Sequence, residues 1–141
     1  GIMHRPGGLP DHIERRVPAL SPGRAGRLLH VQEYQAVTFA CAMVRTSVWE
    51  DLGGLDESFA VAFNDVDFCY RAGKRGLKIV WTPFAKLFHH ESLVRGSDLV
   101  GPNRDRFLGE IARLRERWGD LLVRPDPFFD DLAFTSLPNR R

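Results

Sequence analysis

At 141 residues and 16.0 kDa, with 43% hydrophobic residues, the chain has the size and apolar content of one domain around a single core. Its formal charge is only +2, and its 20 basic residues are 17 arginines with Lys74, Lys78 and Lys86, scattered rather than gathered in a stripe, which excludes a dedicated nucleic-acid-binding surface. The longest apolar run, residues 36–44, falls far short of the roughly 20 residues that cross a bilayer; two cysteines make no disulfide framework, and no leader pattern opens the chain, so a cytoplasmic setting with at most peripheral membrane contact is expected.

Residues 1–30 hold nine glycines or prolines and no sustained period, and read as an irregular lead-in with a short helical turn over 11–16. The continuous apolar run 36–44 predicts a buried strand. Ser47 with Glu50 three residues later has the spacing of a capping box, and Gly53 and Gly54 end the short helix that would follow. Asn64 is the expected cap of a second helix whose first turn carries Asp65 and Asp67 and whose last carries Arg71, Lys74 and Arg75 before Gly76. Acid first and base last is the arrangement that the helix dipole favours.

Residues 77–81 predict a strand, Thr82 and Pro83 a turn, and 85–89 a second short extended piece that runs out into His89, His90 and Glu91. From Asn103, Phe107, Ile111, Leu114 and Trp118 recur at helical spacing with Arg106, Glu110, Arg113 and Arg117 between them, predicting an amphipathic helix that ends at Gly119. The tail from Val123 carries Pro125, Pro127 and Pro138 and reads as an extended strap. The division expected is a lead-in over 1–30, a main domain over 31–122 and a strap over 123–141.

Two short motifs could carry chemistry. In FNDVDFCYR, residues 63–71, one of two carboxylates at a helix start could take a proton while the other supports it, although acids in a first turn are stabilising there by about 0.3–1 kcal/mol with no chemistry. In FHHES, residues 88–92, one of two adjacent histidines could hold a metal while the other packs. The second is not a zinc-protease HExxH motif, since Val94 stands where its last histidine would, and residues 73–76 lack the pattern of a phosphate-binding P-loop.

The order of the pieces says more than any one of them. The stretch VTFACAMVRTSVWEDLGGLDESFAVAFNDVDFCYRAGKRGLKIVWTPFAKLFHHESLVRG, residues 37–96, resembles the C-terminal region of family 2 glycosyltransferases, especially bacterial enzymes of O-antigen and rhamnan-type polysaccharide synthesis. The small-residue run leading to an arginine, the short helix, GG followed by Asp-Glu, the acidic helix start, the strand and the histidine-bearing strand end occur in the family's order, and the flanking HRPGG, ALSPGRAGRLLHVQEY and RERWGDLL stretches fit the same group.

The resemblance implies an α/β fold, the C-terminal half of a GT-A (nucleotide-diphospho-sugar transferase) fold with a short mixed sheet and flanking helices. It implies that Asp65 is the base deprotonating the acceptor hydroxyl in an inverting transfer, with Asn64, Asp67, Trp81 and Glu91 supporting or binding the acceptor. Many members carry Glu or Asp where this chain has Asn64. His89, or His90 as second choice, would complete the coordination of a divalent ion, Mn or Mg, held mainly by an Asp-x-Asp motif of a nucleotide-binding half that this sequence does not contain. Partners implied are a nucleotide sugar and a glycan or lipid-linked glycan acceptor, and aromatic stacking on sugar could come from Trp49, Trp81, Phe84 or Phe88. The run 36–44 and the face around 59–63 would be left uncovered, so a homodimer is expected for the isolated chain. The rival readings are a non-catalytic carbohydrate-binding or assembly module on the same half-fold, and a metal-dependent phosphodiester hydrolase using Asp65, Asp67, His89 and His90.

Overall fold

A computed structural model describes residues 1–18, 20–87 and 101–129. They form a mixed α/β arrangement of two small antiparallel sheets, three α-helices and a kinked 3-10 segment over Arg24–Leu29. In the first sheet Ile2–Met3 (β1) pairs with Asp11–His12 (β2), and in the second Gln32–Tyr34 (β3) pairs with Ile79–Trp81 (β4), Tyr34 opposite Ile79. The helices are Thr46–Leu52 (α1), Asn64–Lys74 (α2) and Pro102–Leu122 (α3).

The main core lies between α2 and α3, where Val66, Cys69 and Tyr70 meet Leu114, Trp118 and Leu122 over Ile2, Ala36 and Phe59. Tyr70 and Trp118 pack edge to face at 5.2 Å. A smaller cluster joins Ile13, Tyr34 and Phe129, with Trp81 against Tyr34 in a T-shaped pair. The lead-in takes part in both, and His4 is only 1% exposed. Its Nε2 lies 3.1 Å from the Arg124 carbonyl, to which it donates, and its Nδ1 lies 3.4 Å from the Tyr70 hydroxyl and 3.8 Å from Asp126 Oδ2. The His4 backbone N–H donates to buried Asp126, fastening the chain start to the exit of α3.

Several boundaries depart from the sequence expectations. Residues 36–44 form no strand: only Ala36 bridges to Ile2, Val37 and Phe39 plug into the core, and Met43 is 99% exposed. A strand needs a ladder partner, and here the Phe39 N–H goes instead to the Asp65 carboxylate. The helical turn expected over 11–16 is β2 followed by turns in which Glu14 and Arg16 have positive φ. In α1 the capping box is unused, since the helix starts at Thr46 with Arg45 in the cap position and no side-chain cap, although Gly53 closes it in the left-handed conformation as expected.

Asn64 is the first residue of α2 rather than its cap, the cap position falling to Phe63. Helix α3 continues past Gly119 to Leu122, because Leu122 extends the buried stripe of Leu114 and Trp118. Residues 85–87 form no strand, and the rest of the extended piece expected over 85–89 lies outside the described residues. The face around 59–63 is covered within the chain: Phe59 is buried and Phe63 packs against the core, while Cys41, Ala42 and Met43 are exposed. No helix among the described residues is long and apolar enough to cross a membrane.

Candidate functional site

The acidic helix start is assembled by three elements. Residues 59–63 bring the chain from the Asp56 turn to α2 and end on Phe63 at φ 65°, a left-handed backbone in a residue that is not glycine. That conformation costs about 1–2 kcal/mol, and the stack of Phe63 on Phe107 of α3, at 5.8 Å and 19°, offsets most of it, since such pairs contribute about 0.5–1.5 kcal/mol. Two residues earlier the Val61 N–H donates to the Glu110 carboxylate at 2.7 Å. The loop is thereby held on α3 immediately before α2 begins.

Asp65 is partly exposed at this start. Its Oδ1 accepts the Val66 N–H at 2.8 Å, its Oδ2 accepts the Phe39 N–H at 3.1 Å, and its own N–H donates to Asn64 Oδ1 at 2.7 Å. Each carboxylate oxygen therefore has one amide fixing its direction and a second lone pair able to accept, on a side chain that is partly exposed. Its negative charge reaches Cys69 one turn on, whose thiol is pushed up to about 11, chiefly by burial.

Asp67 has the opposite environment. Two helical residues are separated by about 200°, so it points inward, 0% exposed. Oδ2 takes Arg71 Nε at 2.8 Å, and Oδ1 takes Arg117 Nη1 and Trp118 Nε1, both at 2.9 Å. Arg71 goes on to the carbonyls of Leu52 and Gly54 at the end of α1, and Arg117 to Asp56 at 2.6 Å. Hydrogen bonds from Ser58 and then Arg117 hold the Asp56 carboxyl well below the usual carboxylate range. Asp67 thus ties the three helices together, and its oxygens are closed to a ligand.

The other expected residues are not gathered here. Trp81 sits in the smaller cluster against Tyr34, Trp49 packs on Phe68, and Phe84 is exposed. Phe88, His89, His90 and Glu91 lie outside the described residues. Among the described residues no three His, Cys, Asp or Glu side chains converge, and the two histidines expected to ligate a divalent ion, His89 and His90, lie outside them. A shallow cleft of about 420 Å³ runs beside the far half of α2, lined by Tyr34, Gln35, Tyr70, Lys74 and Phe128 among others, and Asp65 is not part of its wall.

Glu110 and the Asp67 partners Arg117 and Trp118 do not stand out as site residues in the sequence. A signal for Glu110 exists, because it is three residues after Phe107 and four before Leu114 and so falls on the apolar face; a charge there demands a buried partner.

Relatives share this region. The chain is 38% identical over 119 residues to an uncharacterised protein, y4gI, of Sinorhizobium fredii, covering 84% of this chain and 13% of that one. It is 40% identical over 81 residues to the O-antigen biosynthesis protein RfbC of Myxococcus xanthus, covering 57% of this chain and 6% of the relative. It is 37% identical over 59 residues to the N-acetylglucosaminyl-diphospho-decaprenol L-rhamnosyltransferase of Mycobacterium tuberculosis, covering 42% and 19%. The chain therefore spans a fifth or less of the length of these relatives. No protein-family model matches it, and no solved structure matches it significantly. The resemblance read from its motifs stands: the chain is related in sequence to an O-antigen biosynthesis protein and to sugar transferases, a rhamnosyltransferase and a hexosyltransferase of glycan biosynthesis.

Proposed function

We propose that this chain is the acceptor side of an inverting family 2 glycosyltransferase built on the GT-A plan, with Asp65 as its general base. The acceptor hydroxyl gives its proton to the Asp65 carboxylate; the oxygen forms a bond to the anomeric carbon of a nucleotide sugar as the bond from that carbon to the diphosphate breaks, and the nucleoside diphosphate leaves with the electron pair. The observation that carries this reading is the divergence of the two acids in one helical turn. Asp67 is consumed by the core, whereas Asp65 is oriented by two backbone amides and remains partly exposed. Asn64 holds the Asp65 amide and so sets the helix start.

The proposal assigns the nucleotide sugar and the divalent ion, Mn or Mg, to parts of the polypeptide outside the described residues. It places the reaction at the inner face of the membrane on a glycan or lipid-linked glycan acceptor, and it includes a homodimer of the isolated chain through the run 36–44, of which residues 41–43 are exposed.

The test is Asp65→Asn in the polypeptide that carries this segment. Turnover should fall about 100-fold or more, the ordinary contribution of a general base, with nucleotide-sugar affinity unchanged. Unchanged turnover would remove Asp65 from the chemistry and favour the non-catalytic carbohydrate-binding reading.

A further inference from the structure

The carboxylate of Glu110 is 2% exposed on the apolar face of α3, with Oε1 on the Val61 N–H at 2.7 Å and Oε2 on Arg106 at 3.3 Å. A leucine would fill that position without the cost of desolvating a charge. What a leucine cannot do is accept the Val61 amide. That amide belongs to a loop with no helix or strand of its own, two residues before Phe63 turns left-handed and four before Asp65. Phe107, one turn earlier on α3, supports the same loop from under Phe63. So α3, which contributes no group to the polar surroundings of Asp65 itself, carries two grips on the segment that launches it.

We propose that Glu110 is a positioning residue for Asp65, acting through the Val61 amide to fix where α2 begins and thus where the carboxylate stands relative to an acceptor hydroxyl. The proposal rests on the reading of Asp65 as a base. Displacing a base by about 1 Å is enough to cost about 100-fold in rate while leaving remote binding contacts alone, so the signature of a positioning role is a fall in kcat without a change in donor KM.

The experiment compares Glu110→Leu, which fills the space without an acceptor, with Glu110→Gln, which keeps an oxygen for Val61 but loses the charge. Both are made in the full-length polypeptide. Hydrogen exchange of the Val61 amide is measured alongside kcat and donor KM, the donor being whichever of a panel of nucleotide sugars the parent polypeptide turns over fastest.

Glu110→Leu should speed Val61 exchange at least about 10-fold and lower kcat about 10- to 100-fold at unchanged donor KM, and Glu110→Gln should restore both to within about threefold of the parent. Parent kcat in Glu110→Leu, or parent Val61 exchange in it, overturns the proposal, as does a Gln variant as slow as the Leu variant. Should Glu110→Leu not fold, Glu110→Met, equally unable to accept the Val61 amide, takes its place with the same expected and overturning results. Asp65→Asn run in parallel separates the two ideas: if it keeps turnover the base assignment falls, while Val61 exchange still decides whether Glu110 holds the loop.

Discussion

Replacing Asp67 by asparagine should unfold the chain far more readily than the same change at Asp65, despite their adjacency in one acidic motif. Asparagine at 67 offers one acceptor oxygen to three donors and turns an NH2 toward a site built from Arg71, Arg117 and Trp118. Removing one partner of a fully buried ion pair costs about 3–5 kcal/mol. The two arginine side chains here are 22% and 36% exposed, so water recovers part of their charge and the figure drops to about 2–3 kcal/mol.

For a domain of this size that is roughly a 10 °C fall in Tm. At Asp65 the loss is that of a first-turn acid, within about 1 kcal/mol, because asparagine can still accept the Phe39 or Val66 N–H. Urea unfolding followed by tryptophan fluorescence is suited to the comparison, since Trp118 is both a core residue and an Asp67 partner. A loss below about 0.5 kcal/mol for Asp67→Asn, or a larger loss for Asp65→Asn, would refute the assignment of the inner acid to the fold.

Two further outcomes follow from the ionisable groups. The folded-state pKa of Asp56 is depressed by Ser58 and Arg117, so its contribution is fully present above the unfolded carboxylate range, near pH 4, and is lost as pH falls through the folded value; Asp56→Asn should flatten the acid limb of a stability-versus-pH curve, and an unchanged limb would count against the Asp56–Arg117 contact. Cys41 is exposed and Cys69 buried with its thiol pushed up to about 11, so a thiol reagent at pH 8 should label one cysteine quickly and the second only on unfolding. Equal labelling rates would contradict that burial.

Helix α2 was legible because its acids, its bases and Gly76 each obey a local rule. Which of its two acids faces inward was not, since both fit a first turn and only the position of α3 decides. The run 36–44 misleads for a related reason: an apolar stretch reads as a strand, but a strand exists only with a neighbour to pair with, and the Asp65 side chain takes the Phe39 amide instead. His4 gave no periodic signal among prolines and glycines, and the carbonyl it meets is 120 residues away. Glu110 was readable in principle, as the one acid within the stripe of Phe107, Ile111, Leu114 and Trp118.

The separation of Asp65 from Asp67 by 200° of helix also bears on how this chain could change over time. One acid answers to stability and the other is the proposed base, so on that proposal a single substitution at 65 yields a folded polypeptide with an intact surface and turnover about 100-fold lower. Under the same proposal such a copy would still occupy acceptor alongside its active counterpart and would act as a competitor, a dominant inhibitor one codon away from the parent. The same step at 67 draws on stability instead, by about 2–3 kcal/mol, and leaves the outer acid in place.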